Sequence, residues 1–208
     1  MSDTATSDDA APKAGPGWQW IWAFHLVVVA VAGGVLWSVS YPDGDLYLLG
    51  AFGCTSVLVG CFWLGWTISV ARTTGRRRGW FLAGPVVGVL TLVLLCTGAP
   101  FKMRWAASRG AFAAVVAGHP IPPPGSAREG FTVPRRLGLY SIASADWVPG
   151  GAVFYEAHAS FSDAGFAYLP GGPTAEIETA LFESLRFQHL GGGWYSWTSG
   201  WYSWASGD

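Results

Sequence analysis

Three long apolar runs fill the first half of the chain, and each is bounded by tryptophan or tyrosine. They cover about residues 18–40, 46–70 and 80–98. At 1.5 Å per residue the first spans about 34 Å, against a bilayer hydrocarbon core of about 30 Å. The pattern predicts three transmembrane helices. Trp18, Trp20 and Trp22 mark one interface of the first run, and Trp37 and Tyr41 the other. The second run carries small residues at Gly50, Gly53, Cys54, Val57, Gly60 and Cys61, spacings that share one helical face. Lipid gives no hydrophobic drive for pairing, so this stripe is expected to face another helix at close approach. The third run holds Gly84-Pro85-Val86-Val87-Gly88, a second packing contact with a proline that bends the helix.

The pattern changes after Pro100. Residues 101–118 place Phe101, Trp105, Phe112 and Val115/Val116 on one helical face, with the charges elsewhere. That reads as an amphipathic helix lying at the membrane surface. Gly118 and Pro120 end it, and residues 119–134 form a proline-rich spacer. Beyond it, 137–143 alternates, 152–159 is rich in β-formers, and 165–169 is a third short strand. Residues 184–190 and 194–198 flank Gly191-Gly192-Gly193 and read as a hairpin, while 174–179 is ambiguous. A small antiparallel sheet of four to six strands is expected over 135–208. The fold class is therefore α+β: three membrane helices, an interfacial helix and a β domain. Residues 1–17 lack apolar groups and read as a disordered cytoplasmic tail, with no basic start of a cleaved signal.

Charge sets the orientation. Charged residues are only 12% of the chain, about half the usual soluble share. The net charge of −1 lacks the basic excess of a nucleic-acid binder. Arg72, Arg76, Arg77 and Arg78 lie between the second and third runs. Together with Lys13 they outnumber Lys102, Arg104 and Arg109 on the opposite side. Counting bases near the helix ends puts the N-terminus in the cytoplasm and the C-terminal domain outside a plasma membrane.

Candidate chemistry is sparse. No serine sits in a nucleophile elbow, no glycine loop cradles a phosphate, and no catalytic residue, cofactor or metal set is assigned. Asp43 and Asp45 read as turn residues. His25, inside the first run, reads as a neutral histidine bonded to a neighbouring helix or interfacial water. His158 and His189, near Glu156 and Asp163, lack ligand spacing and read as surface or sheet-packing residues. Cys54, Cys61 and Cys96 read as small apolar residues between helices. The one feature with binding character is the repeat Trp194-Tyr195-Ser196-Trp197 and Trp201-Tyr202-Ser203-Trp204. A turn at Ser199-Gly200 would pair Trp197 with Tyr202 and Tyr195 with Trp204. Such a hairpin either stacks on sugar rings or packs on the sheet and headgroups.

The stretch from Pro100 to Val116 resembles a family of multi-pass membrane proteins from actinobacterial genomes. So do Gly138-Leu139-Tyr140, Gly165-Phe166-Ala167-Tyr168-Leu169-Pro170 and His189-Leu190-Gly191-Gly192-Gly193-Trp194-Tyr195-Ser196-Trp197. The duplicated tail after Gly200 departs from that pattern. The resemblance implies a glycan-rich envelope and an arrangement, and no activity. Two functions follow as expectations. One is a non-enzymatic membrane protein presenting its β domain to an envelope protein or glycan, with Trp194, Tyr195, Trp197, Trp201, Tyr202 and Trp204 as binding residues. The other is an oligomeric component of a small-molecule or ion transport system.

Overall fold

The computed structural model describes residues 18–74, 82–159, 163–174, 177 and 185–199. The expectations for the tail 1–17, for Arg76, Arg77 and Arg78, for most of 174–179 and for Trp201, Tyr202 and Trp204 lie outside the described residues. The class is α+β. Among the described residues there are four helices and seven strands, and the helices come first: α1 (Trp18–Ser38), α2 (Leu46–Thr74), α3 (Ala83–Thr97) and α4 (Ala99–Ala117). Seven strands follow: β1 (Glu129–Phe131), β2 (Arg136–Leu137), β3 (Tyr140–Val148), β4 (Gly151–Glu156), β5 (Ala164–Tyr168), β6 (Leu185–Gly191) and β7 (Trp194–Ser199).

Of the three apolar runs, α2 is long and apolar enough over Leu46–Val70 to cross a membrane by itself. In α1 the apolar stretch Trp22–Ser38 is shorter, and α3 passes the same test only together with α4, from which it bends by 60°. The bend lies at Gly98, whose φ of 62° is left-handed and closes α3 through its N–H on the Leu94 and Leu95 carbonyls. Pro100 then opens α4, where its missing N–H removes nothing.

α1 packs against both α2 and α3. α2 approaches both neighbours through aromatic rings set on glycines, Phe52 on Gly34 of α1 and Trp63 on Gly84 of α3. A Cβ on Gly34 would collide with the Phe52 ring, and one on Gly84 would sit 2.9 Å from the Trp63 Nε1. Phe24, Phe62 and Trp66 close the other end of the α1–α2 contact, with centroids 5.6–5.8 Å apart. The stripe expected on α2 is split. Gly53 and Gly60 line a gap between helices, while Gly50, Cys54, Val57 and Cys61 face outward. Nothing lies within 4 Å of a Cβ at Gly50, Gly53 or Gly60. All three cysteines are likewise exposed rather than packed between helices. Aromatic side chains on the facing helices reach the glycines that lie opposite them, so geometry, not residue size, chose which glycines are contacts. Gly34→Leu is therefore expected to cost about 1–3 kcal/mol by overpacking. Gly53→Ala should be near neutral in thermal unfolding in detergent.

The strands form one antiparallel sheet in the order β1-β3-β4-β5-β7-β6, with β2 paired to β3. The hairpin expected around Gly191-Gly192-Gly193 is present as β6–β7. Alternation sends Phe154, Phe166 and Trp194 to one face and Val153, Tyr155, Ala167 and Trp197 to the other. Both faces are covered, which is why β4 is buried along its whole length.

α4 covers the first face. Trp105, Phe112 and Val116 pack there with Tyr140, Ile142, Phe154, Phe166 and Trp194. Phe112 is fully buried, 5.0 Å from Phe166 and 5.2 Å from Phe154 between ring centroids. The apolar face that the sequence assigns to a lipid surface is thus spent on the sheet. A helix face and a sheet face with matching aromatics bury more area against each other than either would on headgroups.

Candidate functional site

The described helices and the sheet meet at Arg104. It lies on α4 one residue before the core Trp105, and only 6% of it is exposed. The sequence expectation that the charges of this helix point away from its apolar face fails here. Three hydrogen bonds hold the guanidinium. Its Nη1 donates to Ser40 Oγ at 2.8 Å, and its Nε and Nη2 both donate to the Leu139 carbonyl, at 3.2 and 2.5 Å. Three aromatic rings surround it: Tyr41 at 3.9 Å, Trp37 at 4.5 Å and Tyr140 at 4.6 Å from the guanidinium carbon. Among the described residues Arg104 forms no ion pair. The ring faces and the carbonyl stand in for a carboxylate, an arrangement open to the flat, weakly hydrated guanidinium.

Each partner of Arg104 is itself held. Ser40 Oγ donates to the Trp37 carbonyl at 2.6 Å, and the Ser40 carbonyl accepts from the Tyr140 hydroxyl at 3.2 Å. On the sheet side the fully buried Ser108 accepts the Leu139 N–H at 3.0 Å and donates to the Arg104 carbonyl at 2.8 Å. Gly138 makes this approach feasible. Its φ is +61°, and a Cβ there would lie 2.6 Å from Ser108 Cα. The turn after α1, the turn before β3 and α4 are thereby tied at one point.

Beside this joint the buried Glu156 accepts from the His158 backbone N–H at 2.6 Å and pairs with His158 Nδ1 at 3.0 Å. The His158 ring lies 5.3 Å from that of Tyr41. Burial pushes the Tyr140 hydroxyl well above the usual phenol range, opposed by the positive charge of Arg104. A second polar cluster is on the sheet, where Arg128 pairs with Asp146 at 2.5 Å and meets the Tyr155 hydroxyl at 3.0 Å.

Tyr155 is pushed up to about 12, by burial first, against the lowering effect of Arg128. An ordinary phenol ionises near pH 10. A folded value above the unfolded one means the neutral phenol contributes stability. That contribution is complete below about pH 10 and is lost as pH rises through about 12. Denaturant unfolding of the sheet should therefore be flat from neutral to about pH 10 and weaken between 10 and 12. Tyr155→Phe should remove part of that decline.

Among the described residues, the expected binding residues Trp194, Tyr195 and Trp197 do not form an open surface. Trp194 and Trp197 are 3% and 2% exposed, one in each core layer. Tyr195 is half-buried beside Phe187 and His189. The pairing of β7 with a following strand is also overturned. Trp197 is opposite Gly165 of β5 on one side and Phe187 of β6 on the other, so both edges of β7 are taken. Among the described residues no three His, Cys, Asp or Glu side chains converge as a metal set. Of the four arginines between the second and third runs, Arg72 is described and lies exposed in the last turn of α2.

Sequence reading missed the joint because its members are scattered over Trp37, Ser40, Tyr41, Arg104, Ser108 and Tyr140. A weak signal existed. Arg104 and Ser108 interrupt an apolar helical face at a spacing of four, which marks a polar pair with a buried partner. Comparison with known protein families, with curated proteins and with solved structures finds no match for this chain.

Proposed function

We propose that this chain is a three-span membrane anchor that holds an α/β domain at a fixed attitude outside the plasma membrane. It presents that domain, without catalysis of its own, to an envelope protein or glycan. The observation that carries this reading is the contact at Arg104 between the turn after α1 and the sheet. Two segments in direct contact lie on the same side of a bilayer. Arg72, at the far end of α2, then lies on the other side. If α1 and α2 cross, α3 has to cross as well to bring the chain back to the sheet. Its 15 residues cover about 22 Å, a short span of the kind that bilayer thinning accommodates.

The surface chemistry of the helices supports a lipid setting. Trp20, Leu26, Leu58, Phe62, Val86 and Val89 are all more than half exposed. A contiguous apolar surface of this kind is a liability in water and ordinary in a bilayer. The positive loop from Arg72 to Arg78 supports a cytoplasmic N-terminus. Trp37, Tyr41 and Tyr140 around Arg104 suit the outer interface, where aromatic rings and a cation are both at home. With Trp194 and Trp197 in the core, a glycan would be met by Trp201, Tyr202 and Trp204. The transport reading has less support, because the gap between the helices is lined mostly by apolar side chains, with Ser56 and Thr91 bonded back to their own helices, and His25 does not line it.

Cysteine labelling of intact cells tests the orientation, in a variant lacking Cys54, Cys61 and Cys96. A cysteine at Ser126 is expected to react with an impermeant reagent, and one at Thr74 is not. Labelling at Thr74 alone would overturn both the orientation and the outside location of the domain.

A further inference from the structure

α1, α2 and α3 enclose a cleft of about 480 Å³ that their own side chains leave unfilled. Resting on the reading that these helices cross a bilayer, we propose that this cleft is a binding site for one lipid hydrocarbon chain. The helices touch at Gly34/Phe52 and at Gly84/Trp63 and part between them. The opening results from missing side chains. Gly53, Gly60 and Gly88 all line the cleft, and a Cβ at any of them would meet nothing within 4 Å.

Polar chemistry is withdrawn from the walls. Ser56 and Thr91 line the cleft, yet each hydroxyl donates at 2.8 Å to the carbonyl four residues back in its own helix. The ligand therefore needs no hydrogen-bonding group at this depth, and an ion would exchange its water for walls that offer it few partners.

Size selects among apolar occupants. From Gly84 to Leu95 the cleft follows α3 for about 16 Å, roughly one leaflet of hydrocarbon. A helix from a second copy, about 10 Å across, would need roughly 1,200 Å³ over that length. One extended alkyl chain, about 4–5 Å across, takes roughly 250–300 Å³. The volume admits one chain with room for methyl branches and falls well short of what a helix inserted whole would occupy.

The test uses the full chain in phosphatidylethanolamine vesicles containing a phosphatidylcholine with a diazirine on its acyl chain. After photolysis, crosslinks are mapped by mass spectrometry. The proposal expects adducts on Ser56 or Thr91 as well as on the outward-facing Leu58 and Val89. Gly60→Leu and Gly88→Leu should lower the inner adducts at least fivefold and leave the outer ones unchanged. Adducts on Leu58 and Val89 without inner ones in the wild type would overturn the lipid site and leave the membrane reading standing. The absence of adducts at both would overturn the membrane reading itself. Crosslinks from the cleft residues to a second copy of the chain would assign the cleft to an oligomer contact and sink the proposal.

Discussion

Arg104→Met should uncouple the sheet from the helices while both remain folded. The guanidinium sits among three rings and holds Ser40 on one side and Leu139 on the other. Desolvated cation–π contacts contribute about 2 kcal/mol or more, and hydrogen bonds to a charged donor about 1.5–3 kcal/mol. The cost of burying the charge offsets part of this, so a net loss of about 2–4 kcal/mol at the joint is expected. Methionine fills much of the volume and restores none of the three hydrogen bonds, leaving the Leu139 carbonyl without its two donors. Arg104→Lys should recover less than half, because one ammonium cannot form the fork that spans both partners. Spin labels at Leu58 on the helices and Glu129 on the edge strand read the outcome. A narrow distance distribution in the wild type should broaden in Arg104→Met, with membrane retention unchanged. An unchanged distribution would show that other contacts hold the domain in place and would remove the main support for a fixed attitude.

Phe112→Ala should have the largest effect on the domain itself. The ring is fully buried and touches Trp105, Tyr140, Phe154, Phe166 and Trp194. Truncating a buried phenylalanine costs about 3–5 kcal/mol. For a domain of this size that lowers Tm by more than about 10 °C. The same variant distinguishes two places for α4. If its apolar face lay on lipid, the alanine would weaken membrane association and leave unfolding of the sheet unmoved. With the face on the sheet, near-UV circular dichroism should show the domain melting early while the helices stay in the membrane.

The local elements were legible because their signals are local. The strands around Val148-Pro149-Gly150-Gly151 and the hairpin at Gly191-Gly192-Gly193 follow from alternation and turn residues within a few positions. The end of α4 at Gly118 and the break at Gly98-Ala99-Pro100 are likewise set by residues at the break itself. The apolar face of α4 was also readable from its spacing, but its partner was not. Periodicity says that Trp105 and Phe112 leave water; lipid, another helix and a sheet satisfy it equally.

The tail repeat failed for a related reason. Trp-Tyr-Ser-Trp describes a strand that can pair on either edge, and nothing near it in sequence says that β5 already occupies one of them. β5 and β7 are separated by more than twenty residues, and strand order across such a gap is decided by which faces bury best together. That choice put Trp194 and Trp197 into the core rather than onto a surface.

By itself, the sequence determined the approximate bounds of the helices and of β4–β7, which positions avoid water, and the α+β class; β1, which lies inside the expected spacer 119–134 and pairs with distant β3, was not legible. Only the tertiary structure decided that Arg104 is an interior residue. A charge leaves water only when its replacement partners converge, and these come from Trp37, Ser40 and Tyr41 on one side and Leu139 and Tyr140 on the other. Those groups stand more than sixty residues before it and more than thirty after it. No pattern of spacing within α4 specifies that they meet there; the packing of the helix on the sheet, which brings the turn after α1 alongside, does.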